Sequence, residues 1–93
     1  MLSLAGHPTQ SVRFELTADA EPGLLPRLLI PFARRDLTPD TVRARRTHDT
    51  IHATLEMYAM PSEFVHLVEG NLRQVVGVRR VSVILLAANR TAA

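Results

Sequence analysis

The sequence predicts an α+β fold, a four-stranded antiparallel sheet with two helices packed on one of its faces. Three observations carry this prediction. Apolar and polar residues alternate over 11–18, 50–59 and 78–87, the period of a half-buried strand. Between these stretches lie two segments, opening at Pro22 and Pro61, whose apolar residues follow the three-to-four spacing of a helix buried on one side. The chain has 93 residues, enough for one domain of two layers around one modest core.

Residues 1–10 form an irregular lead-in, and the domain is expected to span 11–87. In "SVRFELTA" (11–18), Val12, Phe14, Leu16 and Ala18 share one face, while Arg13, Glu15 and Thr17 share the other. Asp19 to Gly23 break this strand with charge, Pro and Gly. From Pro22 a helix is expected, with Leu24, Leu25, Leu28, Leu29 and Phe32 along its apolar stripe. Pro22 suits a first helical turn, where a missing N–H costs nothing, and Pro26 is still near the start. Pro31 lies deeper, where a proline removes a hydrogen bond and crowds the preceding turn at roughly 3 kcal/mol. A kink or opened turn is therefore expected near Arg27–Leu28, with the helix ending by Arg35 or Asp36.

"TPD" (38–40) is a turn into a weak strand at 41–47, with Val42 and Ala44 facing the helices and the arginines at an edge. His48-Asp49 reverse the chain into "TIHATLEMYA" (50–59), where Ile51, Ala53, Leu55 and Met57 point inward. Ser62 is expected to cap a second helix, with Glu63 complementing its dipole. Its apolar stripe is expected at Phe64, Val65, Leu67, Val68, Leu72 and Val75, with Gly77 well placed to stop it. A last strand fills 78–87, and 88–93 are expected to be a flexible tail like 1–10. Two right-handed helical crossovers, expected to relate strand 1 to strand 3 and strand 2 to strand 4, complete a ferredoxin-like βαββαβ sandwich.

Composition narrows the function. Apolar residues make up 46% and charged residues 22%, which is ordinary for a folded domain and unlike a disordered one. The net charge is only +2, and every basic residue except histidine is Arg, which holds the isoelectric point high without a nucleic-acid footprint. Aromatics are 4%, and "TIHATLEMYA" has neither the glycine nor the paired aromatics with which RNA recognition motifs of this topology stack bases, so no nucleic-acid partner is expected. The longest apolar runs fall well short of the ~20 residues that cross a bilayer. The N-terminus lacks the basic and hydrophobic regions of a secretory signal, so a cytoplasmic protein without membrane contact is expected.

The absence of cysteine excludes disulfide and thiolate chemistry. His7, His48, His52 and His66 assemble no metal set: His48 and His52 flank a turn without a third ligand. No nucleophile–base–orienter set and no glycine-rich phosphate loop stands out. The chain is therefore expected to be non-catalytic and to carry neither a cofactor nor a metal.

One stretch says more. "AEPGLLPRLLIPFARRDLTPDTVRAR" (20–45) resembles the ACT domain, the small regulatory module that binds amino acids in biosynthetic enzymes. Within it, "FARRDLTPDTV" (32–42) is similar to the phenylalanine-x-arginine-arginine-glycine-aromatic-asparagine run of acetohydroxyacid synthase small subunits. "EFVHLVEGNLRQVVGVRRVSVI" (63–84) is similar to their second helix and last strand. The resemblance covers 11 to about 86.

It implies an effector corner at Ala20, Glu21, Gly23, Leu24 and Leu25, joined by Thr38 after the helix. It also implies a homodimer, with a small amino acid of the valine type held between two protomers. A helix N-terminus with free N–H groups suits a carboxylate, and a glycine lets it approach the backbone. The resemblance further implies a catalytic large subunit as partner, which the chain would activate or stabilise. Three residues depart from the family pattern. Ala20 stands where the family carries Asn or Asp, Asp36 stands for its Gly, and Thr38 stands for its Asn. A regulatory subunit with weak or absent amino-acid feedback is therefore expected. The alternatives are a free-standing amino-acid sensor and a purely structural dimerisation module.

Overall fold

The structure, a computed structural model, describes residues 8–87. The expected flexible tail at 88–93, and 1–7 of the expected lead-in, lie outside them. The elements are β1 (Thr9–Asp19), α1 (Leu24–Ala33), β2 (Thr41–Thr47), β3 (Thr50–Pro61), a 3-10 turn (Ser62–Phe64), α2 (Val65–Arg73) and β4 (Val78–Leu85). They form one antiparallel sheet in the order β2-β3-β1-β4, with the helices on one face, the predicted ferredoxin-like arrangement. The crossovers join different strands from those expected. Because β1 and β3 take the two central places, α1 links β1 to β2 over β3, and α2 links β3 to β4 over β1.

Alternation in β1 does what its pattern dictates. Val12, Phe14, Leu16 and Ala18 are buried, and each faces a buried partner on β3: Met57, Leu55, Ala53 and Ile51. The helices close this face with Leu24, Leu28 and Phe32 from α1 and Val65, Val68 and Leu72 from α2. Phe14 meets Phe32 edge to face, with centroids 5.7 Å apart and planes at 81°. No charged or polar residue is buried among the described residues, so the core is almost wholly aliphatic.

Four local expectations change. Pro22 and Gly23 lie before α1, with Gly23 as its N-cap in the left-handed region at φ 79°. The opened turn near Arg27–Leu28 does not occur. α1 runs unbroken through Pro31, which sits in the final turn and is buried against the core, so only one intrahelical bond is forgone. The helix then closes on a left-handed cap: Asp36 takes φ 57°, its N–H donates to Ala33 O, and Leu37 N–H donates to Phe32 O at 2.9 Å. Asp36 thus fills the position of the family's glycine. Ser62 makes no side-chain cap, since the chain enters α2 through the 3-10 turn, where Ser62 N–H donates to Pro8 O. α2 ends at Arg73, earlier than Gly77, which instead turns the chain into β4 at φ 99°.

β2 is the largest departure. Val42 and Ala44 face Leu55 and Ala53 across the ladder, so they point to the helix side as expected. No helix reaches over them, and both are exposed, Val42 by 51%.

Candidate functional site

The β1–α1 corner is pinned by backbone bonds from three directions. Asp19 N–H donates to Gly77 O at 2.8 Å, Ala20 N–H donates to Asp49 O at 2.8 Å, and Leu24 N–H donates to Glu21 O at 3.1 Å. The corner therefore sits between the tip of the β2–β3 hairpin and the loop that feeds β4. Arg79 forms an ion pair with Asp19, which takes up the charge of one of the two acids next to Ala20. The other, Glu21, lies against Gly77, where an added Cβ would stand 3.6 Å from Glu21 Cδ.

The structure brings five of the six predicted site residues together and leaves one out. Ala20 packs against the core and Leu24 is buried, so neither offers a group to a ligand. Gly23 and Leu25 are exposed. Pro26 has no N–H, and the amides of Leu24 and Arg27 are taken by Glu21 O and Gly23 O. The amides of Gly23 and Leu25 are left without a backbone partner among the described residues. Thr38 lies past the far end of α1. Ten residues at ~1.5 Å each put it about 15 Å from the corner, so within one chain it does not join the site.

Sequence reasoning missed Arg27. Its guanidinium folds back over the turn, with Nη2 donating to Pro22 O at 2.9 Å. It occupies the space that the missing side chain of Gly23 leaves open, with Nη2 3.4 Å from where a Cβ would stand. The signal was there: an arginine four residues after Gly23 is one helical turn on and reaches back to the same spot. The corner thus presents a guanidinium, two amides and the positive end of a helix, a set that attracts a carboxylate. It presents no amide side chain with which to hold an ammonium. From Arg27 a shallow groove of about 330 Å³ runs between the helices, with Ile30, Arg34, Asn71 and Gln74 among its walls.

The chain belongs to the ACT-like domain family. The family's model matches residues 6–90. Among solved structures, the ACT domain from the GTP pyrophosphokinase of Chlorobium tepidum superposes with a TM-score of 0.71 at 13% identity, over 82% of this chain and 99% of that one. The C-terminal domain of the MgtC protein from Mycobacterium tuberculosis gives 0.64 at 17%, over 85% and 89%. An uncharacterized protein from Thermotoga maritima gives 0.62 at 12%, over 85% and 99%. At such identities the likeness is one of fold. No curated protein sequence matches the chain significantly.

An ACT domain is a regulatory module, which is compatible with a chain that does no chemistry of its own. Among the described residues no group of three or more His, Asp or Glu is placed to hold a metal, and no helix is long and apolar enough to cross a membrane.

The best-connected ionic network lies on the open face of the sheet. Glu56 accepts from Arg13 Nε at 2.9 Å, Thr41 Oγ1 at 3.0 Å and the Tyr58 hydroxyl at 3.1 Å. The Arg13 bond, aided by Thr41, holds the Glu56 carboxyl below its usual range against the opposing effect of desolvation. A depressed folded-state pKa contributes stability above the unfolded value of about 4.3, and that contribution is lost as pH falls through the folded value. Glu56→Gln is expected to lower stability by about 1 kcal/mol at pH 7, a solvent-screened figure for a hydrogen-bonded charge. The gap between the urea midpoints of the two proteins should narrow as pH falls below about 4.3 and close below the folded-state value. A gap that persists unchanged at pH 3 would refute the assignment.

Proposed function

We propose that this chain is a non-catalytic regulatory or accessory subunit that works as a homodimer on a biosynthetic enzyme, with weak or absent amino-acid feedback. The motif resemblance at 32–42 and 63–84 makes the catalytic large subunit of acetohydroxyacid synthase the leading partner. The chain would then activate or stabilise that subunit in branched-chain amino-acid biosynthesis, in a cytoplasmic setting.

The observation that carries the feedback part is Ala20. The position where ACT domains hold an amide or acid is here packed against the core, with its N–H bonded to Asp49. Asp19 is paired with Arg79 and Glu21 lies against Gly77, so neither acid is placed to replace the lost group.

The test is reconstitution. The catalytic subunit from the same organism is assayed alone and with this protein across a valine titration. Activation that valine leaves intact is the expected result. Valine reversal would show that the corner still binds an effector, and no change in activity would remove this enzyme as the partner.

One observation favours a second reading, a free-standing sensor: the corner keeps the Arg27 guanidinium and two amides for a carboxylate. On that reading, valine, leucine or isoleucine at about 100 times its dissociation constant raises stability by ~2.7 kcal/mol, which thermal unfolding would detect.

A further inference from the structure

The groove between the helices gathers hydrogen-bond donors and, among the described residues, no acid. Arg27 and Arg34 stand at i and i+7 on α1, two full turns, so both face it, roughly 10 Å apart along the axis. Arg34 is the C-cap but keeps helical dihedrals, so the spacing holds to the end of the helix. Neither arginine has an ion-pair partner among the described residues, whereas Arg73 of α2 is paired with Glu69. Arg27 commits Nη2 to Pro22 O, which leaves Nε and Nη1 to donate.

Acceptors beside the groove are already engaged. Arg35 Nη1 donates to Pro31 O at 3.3 Å and to Asn71 Oδ1 at 2.9 Å, so the Asn71 side chain has its NH2 group left to offer. Gln74, the C-cap of α2, adds a second amide to the same wall. The rest of the lining is apolar: Ile30 is 43% and Val76 68% exposed, beside Pro31 and Val75. An ammonium finds no carboxylate among these walls, so a zwitterionic amino acid is a poor match.

We infer that this groove binds an elongated organic dianion, with a carboxylate or phosphate at each end and an apolar body between. One guanidinium holds each end through paired N–H bonds, and the body lies over Ile30 and Val76. The separation of Arg27 and Arg34 favours two spaced charges over one compact anion. The site shares only Arg27 with the β1–α1 corner, and it depends on neither the homodimer nor the identity of the partner enzyme.

The test is titration of the full chain at low salt with linear α,ω-dicarboxylates from succinate to sebacate, followed by amide shifts in heteronuclear NMR. Affinity is expected to pass through a maximum with chain length, with shifts at Ile30, Asn71, Gln74, Val75 and Val76. At that maximum the diacid should bind about threefold or more tighter than the monocarboxylate of equal length. Arg34→Gln changes an exposed side chain outside the core and is expected to erase this advantage, while Arg45→Gln, on β2, leaves it intact. A diacid advantage that survives in Arg34→Gln overturns the inference, as does an affinity that only rises with chain length. Shifts confined to Gly23 and Leu25 assign the anion to the corner and overturn the groove site, and so does the lack of any shift at millimolar diacid.

Discussion

Phe14→Ala is expected to cost about 3–5 kcal/mol, the range for deleting a buried phenylalanine and leaving a cavity. A domain of this size has roughly 5–15 kcal/mol in all, so the variant should be marginal or unfolded at room temperature. The reason is position. Phe14 has no exposed surface and pairs with Leu55 on one side and Val83 on the other. It also abuts Phe32, the large residue near the end of α1. Truncation removes contacts to the sheet and to the helix layer together, and aliphatic neighbours cannot collapse to fill a ring-sized space. Urea unfolding followed by circular dichroism measures the loss. A cost below about 1 kcal/mol would mean that Phe14 is not at the junction of the layers.

Gly77→Val is expected to be the next most damaging change, at about 1–3 kcal/mol. At φ 99° a β-branched residue is strained whatever room surrounds it. The new Cβ itself would fit in ordinary contact with Glu21 Cδ at 3.6 Å and Asp19 Cβ at 3.8 Å, so the cost is one of backbone conformation. The Asp19 amide depends on the Gly77 carbonyl, so strain at this turn reaches the corner. The variant should therefore lose stability and loosen the β1–α1 corner, read as faster amide exchange at Asp19 and Ala20. Gly70→Ala is the internal control. Gly70 lies in α2 with open space at its Cβ position, and there alanine should stabilise by about 0.5–1 kcal/mol. Equal behaviour at the two glycines would refute the strain argument.

How much of the site was legible follows from the range of each interaction. The corner itself could be read from "EPGLL", because a Pro-Gly before an apolar helical period is a local instruction to turn and start a helix. Asp36 as a left-handed cap could also be read, since it depends on a short polar side chain at the end of a helix. Arg27 was within reach of the same reasoning, one helical turn from Gly23. The state of Ala20 was not. Its amide is bonded to Asp49 and its neighbour Asp19 is bonded to Gly77 and paired with Arg79, all contributed by distant parts of the chain.

By itself, then, the sequence determined the elements and their faces. A period of two in β1 and β3 sorts side chains into core and surface before any long-range contact forms, whereas in the helices Leu25, Leu29 and Leu67 of the expected stripes stay exposed. Only the tertiary structure decided which faces are covered and which edges stay open. Val42 and Ala44 point to the helix side, yet they remain exposed because β2 ended at the outside of the sheet, beyond the reach of both helices. Val81, Val83 and Leu85 turn their backbone groups outward because β4 ended at the other side, where the Val81 carbonyl meets Arg73 from α2. Periodicity is a property of neighbours along the chain, whereas coverage depends on where elements dozens of residues away come to rest.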